Sequence, residues 1–322
     1  MSKIRENKIV AAYKEALIRR YDGDEAVFYY SHTDFENLSA KPFTFTSKRG
    51  HTLVGAFYYY GERQYDRLIV FDHGLGAGHT AYMKEIERLC RAGYTVFSYD
   101  KSGCMKSEGE SVYAFSQSIS DLDDALKAIK AIPAYQSAQI SVIGHSFGGY
   151  ATVNIPAYHP DIESIVALAA PISAKAMLKS FFPGPLSLFT PSVMAFERTI
   201  NPDFADASAL DALRDYRGKA LIVHSNDDPT VKTRHHFDCL QKALKARDNI
   251  TFIRLSGKYH NPNYTERAVR YLGEFSAALT EKNRSRAFLC DEDRHAFRDS
   301  FDFDRMTEQD EAVWQKILRF LA

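Results

Sequence analysis

Cysteines are few and unpaired in this sequence: Cys90, Cys104, Cys239 and Cys290 lie far apart and form no C-x-x-C motif. That spacing excludes a paired-thiolate zinc site and a dense disulfide framework, and it fits a reducing, cytoplasmic setting. No apolar run approaches the roughly 18 residues that a bilayer-spanning helix needs. The longest, residues 165–172, is strand-sized. No secretory signal is expected at the start, because residues 1–24 interleave Lys8, Lys14, Arg19 and Arg20 with Val10, Leu17 and Ile18 in the pattern of an amphipathic helix. Neither sign of charge is in excess, with Lys+Arg and Asp+Glu at 41 each, so nothing marks a nucleic-acid partner. Internal repeats and low-complexity tracts are lacking too, and no feature fixes an oligomeric state.

What is present is the patterning of a large α/β chain. With 322 residues, 45% apolar and 25% charged, it can bury a sizeable core in one large domain or two modest ones. Residues 43–46 and 53–60 are β-rich and joined through Lys48-Arg49-Gly50, which suits an antiparallel hairpin. From Leu68 onward, buried-strand runs at 68–71, 95–99, 140–143, 164–168, 220–223 and 250–255 alternate with helix-like stretches. Continuous apolar strands separated by helices predict a mostly parallel sheet covered on both faces. Residues 27–172 and 215–281 are expected to form this core, preceded by an N-terminal helix within 1–26. Residues 173–214 interrupt the alternation with Met177, Leu178, Phe181, Phe182 and Phe189 among Pro183, Pro185 and Pro191. Two readings are open for them: a cap over the carboxyl edge of the sheet that shapes an apolar pocket, or aromatics that only pack the insertion onto the body. Residues 282–322 add a polar segment and a final helix packing on the core. There Thr307 and Asp310 suit a capping box, and Val313, Trp314, Ile317, Leu318 and Leu321 share one face.

Chemistry is concentrated in Gly144-His145-Ser146-Phe147-Gly148-Gly149, set between the strand at 140–143 and a helix-compatible stretch at 150–155. A G-x-S-x-G turn in this context forces the serine into a strained backbone and pushes its hydroxyl into the open. A serine hydroxyl needs a base to become a nucleophile, and the base needs an orienting acid. On a sheet of this kind the chain order is Ser, acid, His. The strand at 220–223 runs into Asp227 and Asp228. Asp228, followed by Pro229-Thr230-Val231, is the expected acid and Asp227 the alternative; whichever does not face the histidine caps the turn. Among the later histidines, His235 and His236 fall in the following helix and His295 in the polar extension, whereas His260 occupies the loop after the strand at 250–255. His260 is the expected base, with His295 as a substitute. Oxyanion donors are expected from Phe147 N–H at the helix start and from Leu75 N–H in His73-Gly74-Leu75-Gly76-Ala77-Gly78. That loop lacks both the G-x-G-x-x-G spacing and a Walker lysine, which argues against a phosphate cradle. Gly74, His145, Phe181, Phe182 and Phe189 are candidate substrate contacts, and the alternatives for His145, as for His73, are a structural or a pocket-lining role.

Five landmarks in this order, His73-Gly74-Leu75-Gly76, Tyr99-Asp100-Lys101-Ser102-Gly103, residues 144–149, Asp228-Pro229-Thr230-Val231 and His260, resemble the α/β-hydrolase family from about Lys41 to about Leu279. The resemblance is to the branch of lipases, esterases and monoacylglycerol-lipase-like enzymes that also holds serine aminopeptidases. It implies an α/β-hydrolase fold with about eight mostly parallel strands and a cap after the sixth. It also implies hydrolysis through an acyl-enzyme, with no metal and no organic cofactor. The sequence departs from the family's frequent Arg-Gly-x-Gly-x-Ser after the Tyr-Asp pair, reading Lys101-Ser102-Gly103-Cys104-Met105-Lys106-Ser107, and it carries Ser225 where glycine is common after His224. The expected activity is cleavage of a carboxylic ester of a small or acyl-chain substrate by Ser146, His260 and Asp228. The same groups could serve a thioesterase, an aminopeptidase-type amidase or an acyltransferase, and a binding-only relative would keep the pocket without using them. A haloalkane dehalogenase is disfavoured, because its nucleophile would be an aspartate.

Overall fold

The computed structural model describes residues 8–76, 78–181 and 188–322. The candidate contact Phe182, and with it Pro183, Pro185 and Ala77, lies outside the described residues. Strands β1 (Leu38–Thr46), β2 (Thr52–Tyr60), β3 (Arg67–Asp72), β4 (Thr95–Tyr99), β5 (Gln139–His145), β6 (Ser164–Leu168), β7 (Lys219–Ser225) and β8 (Ile250–Leu255) form one sheet in the order β1-β2-β4-β3-β5-β6-β7-β8. β1 and β2 pair antiparallel around a turn in which Gly50 takes φ 81°. β2 also runs antiparallel to β4, and the remaining pairings are parallel.

The central strands are apolar without interruption because both faces of the sheet are covered. Leu68 and Val70 point into one core while Ile69 and Phe71 point into the other, and Ile165 and Ala167 oppose Val166 and Leu168 in the same way. Helices follow in chain order: α1 (Lys8–Leu17), α2 (Met83–Arg91), α3 (Gln117–Lys130), α4 (Phe147–Asn154), α5 (Ala174–Phe181), α6 (Thr190–Ile200), α7 (Ala209–Arg214), α8 (Phe237–Leu244), α9 (Glu266–Arg284), α10 (Asp291–Asp299), α11 (Phe303–Met306) and α12 (Glu311–Leu321). α2 and α12 close one face through Ile86, Leu89, Trp314 and Ile317. α3, α4, α7 and α8 close the other through Leu122, Val153, Leu213 and Leu240. Each such fully buried side chain contributes about 1.5–3 kcal/mol. No helix among the described residues is long and apolar enough to cross a membrane.

Two local expectations are corrected. The final helix begins three residues later than a Thr307 cap would place it: the Thr307 hydroxyl donates to Phe303 O at 2.6 Å and closes α11. Asp310 is the residue that caps α12, accepting from Val313 N while also pairing with Lys258. His235 and His236 do not lie in one continuous helix. His236 breaks it with φ −128° and ψ −86°, and its buried ring is bonded to Ile172 N after β6 and to Ser180 Oγ of α5.

Candidate active site

Ser146 stands at the carboxyl end of β5, immediately before α4, with φ 54° and ψ −114°. A non-glycine residue at this φ carries strain of order 1–3 kcal/mol, which the surroundings must hold in place. They do so by close approach of backbone. A Cβ on Gly148 would lie 1.9 Å from Asp72 O, and one on Gly144 would lie 2.5 Å from Gly148 O. The serine is pinned by Ser146 N donating to Leu168 O at 2.9 Å and Tyr150 N donating to Ser146 O at 2.8 Å.

The loops after β7 and β8 bring the other two groups to that serine. His260 Nε2 is 2.8 Å from Ser146 Oγ, and His260 Nδ1 is 2.8 Å from Asp228 Oδ2. Asp228 is fixed from both oxygens: Oδ1 accepts from Thr230 N and Val231 N at 2.8 and 2.9 Å, and Oδ2 lies 3.3 Å from His224 Nε2. Burial alone would raise its pKa, but the bonds from His224, His260 and Val231 outweigh burial and hold the carboxyl well below the usual range. With Asp228 ionised, the proton of neutral His260 is fixed on Nδ1 and Nε2 is left free to accept from the serine. Asp227, the alternative acid, is engaged elsewhere: it accepts from Ser225 Oγ and from Gly257 N, tying the two loops together. The departure from glycine at Ser225 is therefore structural, since its hydroxyl also accepts from Lys258 N. His295 pairs with Glu25 at 2.8 Å on the surface and is not brought to Ser146.

The loop after β3 is held from below. His73 donates from Nδ1 to Gly74 O and accepts at Nε2 from Lys101 N, and burial pushes its pKa down to about 3. Lys101, fully buried, pairs with Asp72 at the end of β3. Burial raises the Asp72 carboxyl to about 6 against the lowering effect of that ammonium.

Against Ser146 lies a cavity of about 290 Å³ whose walls include Leu75, Phe115, Phe147, Met177, Leu178 and Phe181. Of the predicted contacts, Leu75, Phe147 and Phe181 are on this wall and Gly74, His145 and Phe189 are not. Gly74 faces Tyr82, whose hydroxyl would sit 2.5 Å from a Cβ there and accepts Gly74 N–H. His145 is buried with both nitrogens used, Nδ1 accepting from Tyr82 and Nε2 donating to His260 O at 2.7 Å, and burial lowers its pKa to about 3. It braces the His260 loop. Phe189 is partly exposed at the start of α6. Sequence reasoning missed Tyr13, Ala16 and Leu17 of α1, which line the same cavity. Their amphipathic spacing signals a buried face but not what it is buried against.

The family described as "Serine aminopeptidase, S33" matches residues 63–252. Among solved structures, the Pyrococcus furiosus esterase Pf2001 aligns with a TM-score of 0.59 and 19% identity, over 83% of this chain and 99% of that one. The α/β hydrolase GrgF from Penicillium sp. sh18 aligns with a TM-score of 0.52 and 20% identity, over 69% and 91%. A Pyrococcus horikoshii acylaminoacyl peptidase aligns with a TM-score of 0.53 and 14% identity, over 69% of this chain and 38% of that one. At these identities the likeness is one of fold. No curated protein matched the sequence.

Proposed function

Since the chain belongs to the serine aminopeptidase S33 family of α/β-hydrolases, we propose that it is a serine hydrolase that cleaves a carboxylic ester of a small or acyl-chain substrate through an acyl-enzyme. The observation that carries this reading is the continuous hydrogen-bonded path from Ser146 Oγ through His260 to Asp228, 2.8 Å at each step, ending on a strained and solvent-reachable serine. In this reading Ser146 Oγ attacks the ester carbonyl while its proton passes to His260 Nε2, and Asp228 stabilises the imidazolium. The amides of Leu75 and Phe147 receive the oxyanion, each worth about 3 kcal/mol when aimed at the developing charge. The imidazolium then protonates the departing alcohol. A water deprotonated by His260 attacks the acyl-enzyme, and collapse returns the proton to Ser146 as the acid leaves.

An ester is favoured over a peptide by the cavity wall. Among the described residues its side chains are apolar apart from Ser146, His260, Thr230 and the phenol of Tyr13, which suits an acyl chain, whereas a free amino terminus would call for a carboxylate at the mouth. Residues 173–214, carrying α5, α6 and α7, act here as a cap, since Met177, Leu178 and Phe181 form part of that wall. Cys90 and Cys104, buried as free thiols, suit a cytoplasmic setting. Hydrolysis of short p-nitrophenyl acyl esters tests the proposal: Ser146→Ala should lower kcat by on the order of 10⁴-fold or more, and undiminished turnover would refute it. Labelling by a fluorophosphonate, abolished in the same variant, separates an enzyme from a binding-only relative.

A further inference from the structure

We propose that α1 is a wall of the acyl pocket and that Ala16 and Leu17 set the length of straight acyl chain the enzyme accepts; this rests on the ester-hydrolase reading above. α1 and the segment behind it lie outside the residues matched by the family, 63–252. Yet Tyr13, Ala16 and Leu17 border the same cavity as Ser146 and His260. The three positions fall on one helical face, since residues three and four apart are neighbours there.

A wall can discriminate only if it is held rigidly, and this one is fastened at both ends. Toward α6, the Tyr13 hydroxyl donates to Glu197, a fully buried carboxylate that also accepts from Phe115 N at 2.7 Å, Ser116 N at 3.0 Å and Ser116 Oγ. Burial, reinforced by Glu197, raises the Tyr13 pKa well above its ordinary value, so the phenol remains a donor throughout the working range. Tyr13 also packs edge-on against Phe196 at 6.3 Å. Toward the body, Arg20 donates to the carbonyls of Met105, Ser107 and Gly109. Tyr21 N donates to Gly103 O and Met105 N returns a bond to Tyr21 O, each at 2.9 Å. The Tyr21 ring lies against Gly76, where φ is 90° and a Cβ would sit 3.2 Å from it. One segment therefore joins the cap helix, the pocket and the loop that carries Leu75.

The chemistry of the occupant follows from the lining. The cavity is lined by Ser146, His260 and Thr230, and its other described walls are aliphatic and aromatic, Tyr13 among them, so a linear hydrocarbon chain running from a carbonyl at Ser146 toward α1 is the matching ligand. A methylene fills about as much space as a water molecule, roughly 30 Å³, so 290 Å³ admits a chain of medium length. Leu17 is almost fully buried, whereas Ala16 is exposed at the rim. A larger side chain at 16 can therefore intrude without displacing core atoms.

The experiment measures kcat/KM for p-nitrophenyl butyrate and decanoate in the full-length protein and in Ala16→Phe and Leu17→Ala. Each methylene denied burial should lower kcat/KM by about fourfold. The decanoate-to-butyrate ratio should fall by about tenfold or more in Ala16→Phe, which narrows the pocket, and rise in Leu17→Ala, which widens it. A ratio within twofold of the parent in both variants, or one that moves in the same direction in both, would overturn the proposal. If the parent protein turns over neither ester, the hydrolase reading fails separately, and the wall is judged by calorimetric binding of dodecanoic acid to Ser146→Ala. Adding Ala16→Phe must then weaken binding by about tenfold; unchanged affinity, or no binding at all, overturns it.

Discussion

Replacing Asp228 by asparagine should lower kcat for ester hydrolysis by on the order of 10⁴-fold while the chain still folds. The three hydrogen bonds to the carboxylate need an acceptor, Thr230 N and Val231 N on one oxygen and His260 Nδ1 on the other, while His224 Nε2, bonded to Val231 O, lies 3.3 Å from the second oxygen. Asparagine offers one acceptor and one NH₂ group. With the amide oxygen kept on the two backbone N–H groups, the NH₂ points at His260 and donates to Nδ1, which drives the imidazole proton to Nε2. That tautomer presents a hydrogen to Ser146 instead of a lone pair, so the serine loses its base. At about 1.36 kcal/mol per decade, the loss corresponds to about 5 kcal/mol of transition-state stabilisation. Steady-state rates on p-nitrophenyl butyrate report it, with circular dichroism as the check on folding. A kcat within tenfold of the parent would refute the assigned proton path. A linked stability effect follows, because the folded-state pKa of Asp228 is depressed. Its contribution is present above the unfolded value near 3.9 and is lost as the pH falls through the lower folded value. Urea unfolding between pH 5 and 2 should therefore show a shallower acid decline in Asp228→Asn than in the parent.

Two further substitutions probe the frame around this path. Ser146→Gly removes the cost of φ 54°, and after the extra backbone entropy of glycine it should raise stability by about 1 kcal/mol while abolishing turnover; a lower urea midpoint at unchanged m would contradict the strain account. Tyr13→Phe leaves the buried Glu197 with one donor fewer, and it should cost about 1–3 kcal/mol. A urea midpoint equal to that of the parent would show that the bond carries nothing.

The sheet was readable in the sequence because its signals are local. The runs at 68–71 and 220–223 lie within β3 and β7, since strands buried on both faces must be continuously apolar. The turn at Ser146 was readable for a similar reason: strand, glycines and helix follow one another directly between Gln139 and Asn154, and only glycine fits where Gly148 meets Asp72 O. His145 was harder. Its position beside the nucleophile left a pocket-lining and a structural role open, and the bonds to Tyr82 and to His260 O favour the structural one. Thr307 was misassigned because a capping pattern names its candidates without saying which neighbour claims each hydroxyl, and Phe303 O claims this one.

The sequence by itself determined the α/β class, the order of the strands' chemistry along the chain and the strained serine, because periodicity and glycine sterics act over a few residues. Only the tertiary structure decided that Asp228 and not Asp227 reaches His260, that His260 reaches a serine 114 positions away, and that α1 borders the cavity. Those outcomes depend on which loops and helices the packed sheet leaves side by side. Adjacent aspartates are nearly equivalent by composition, but their side chains leave the backbone in different directions, so the fold separates them.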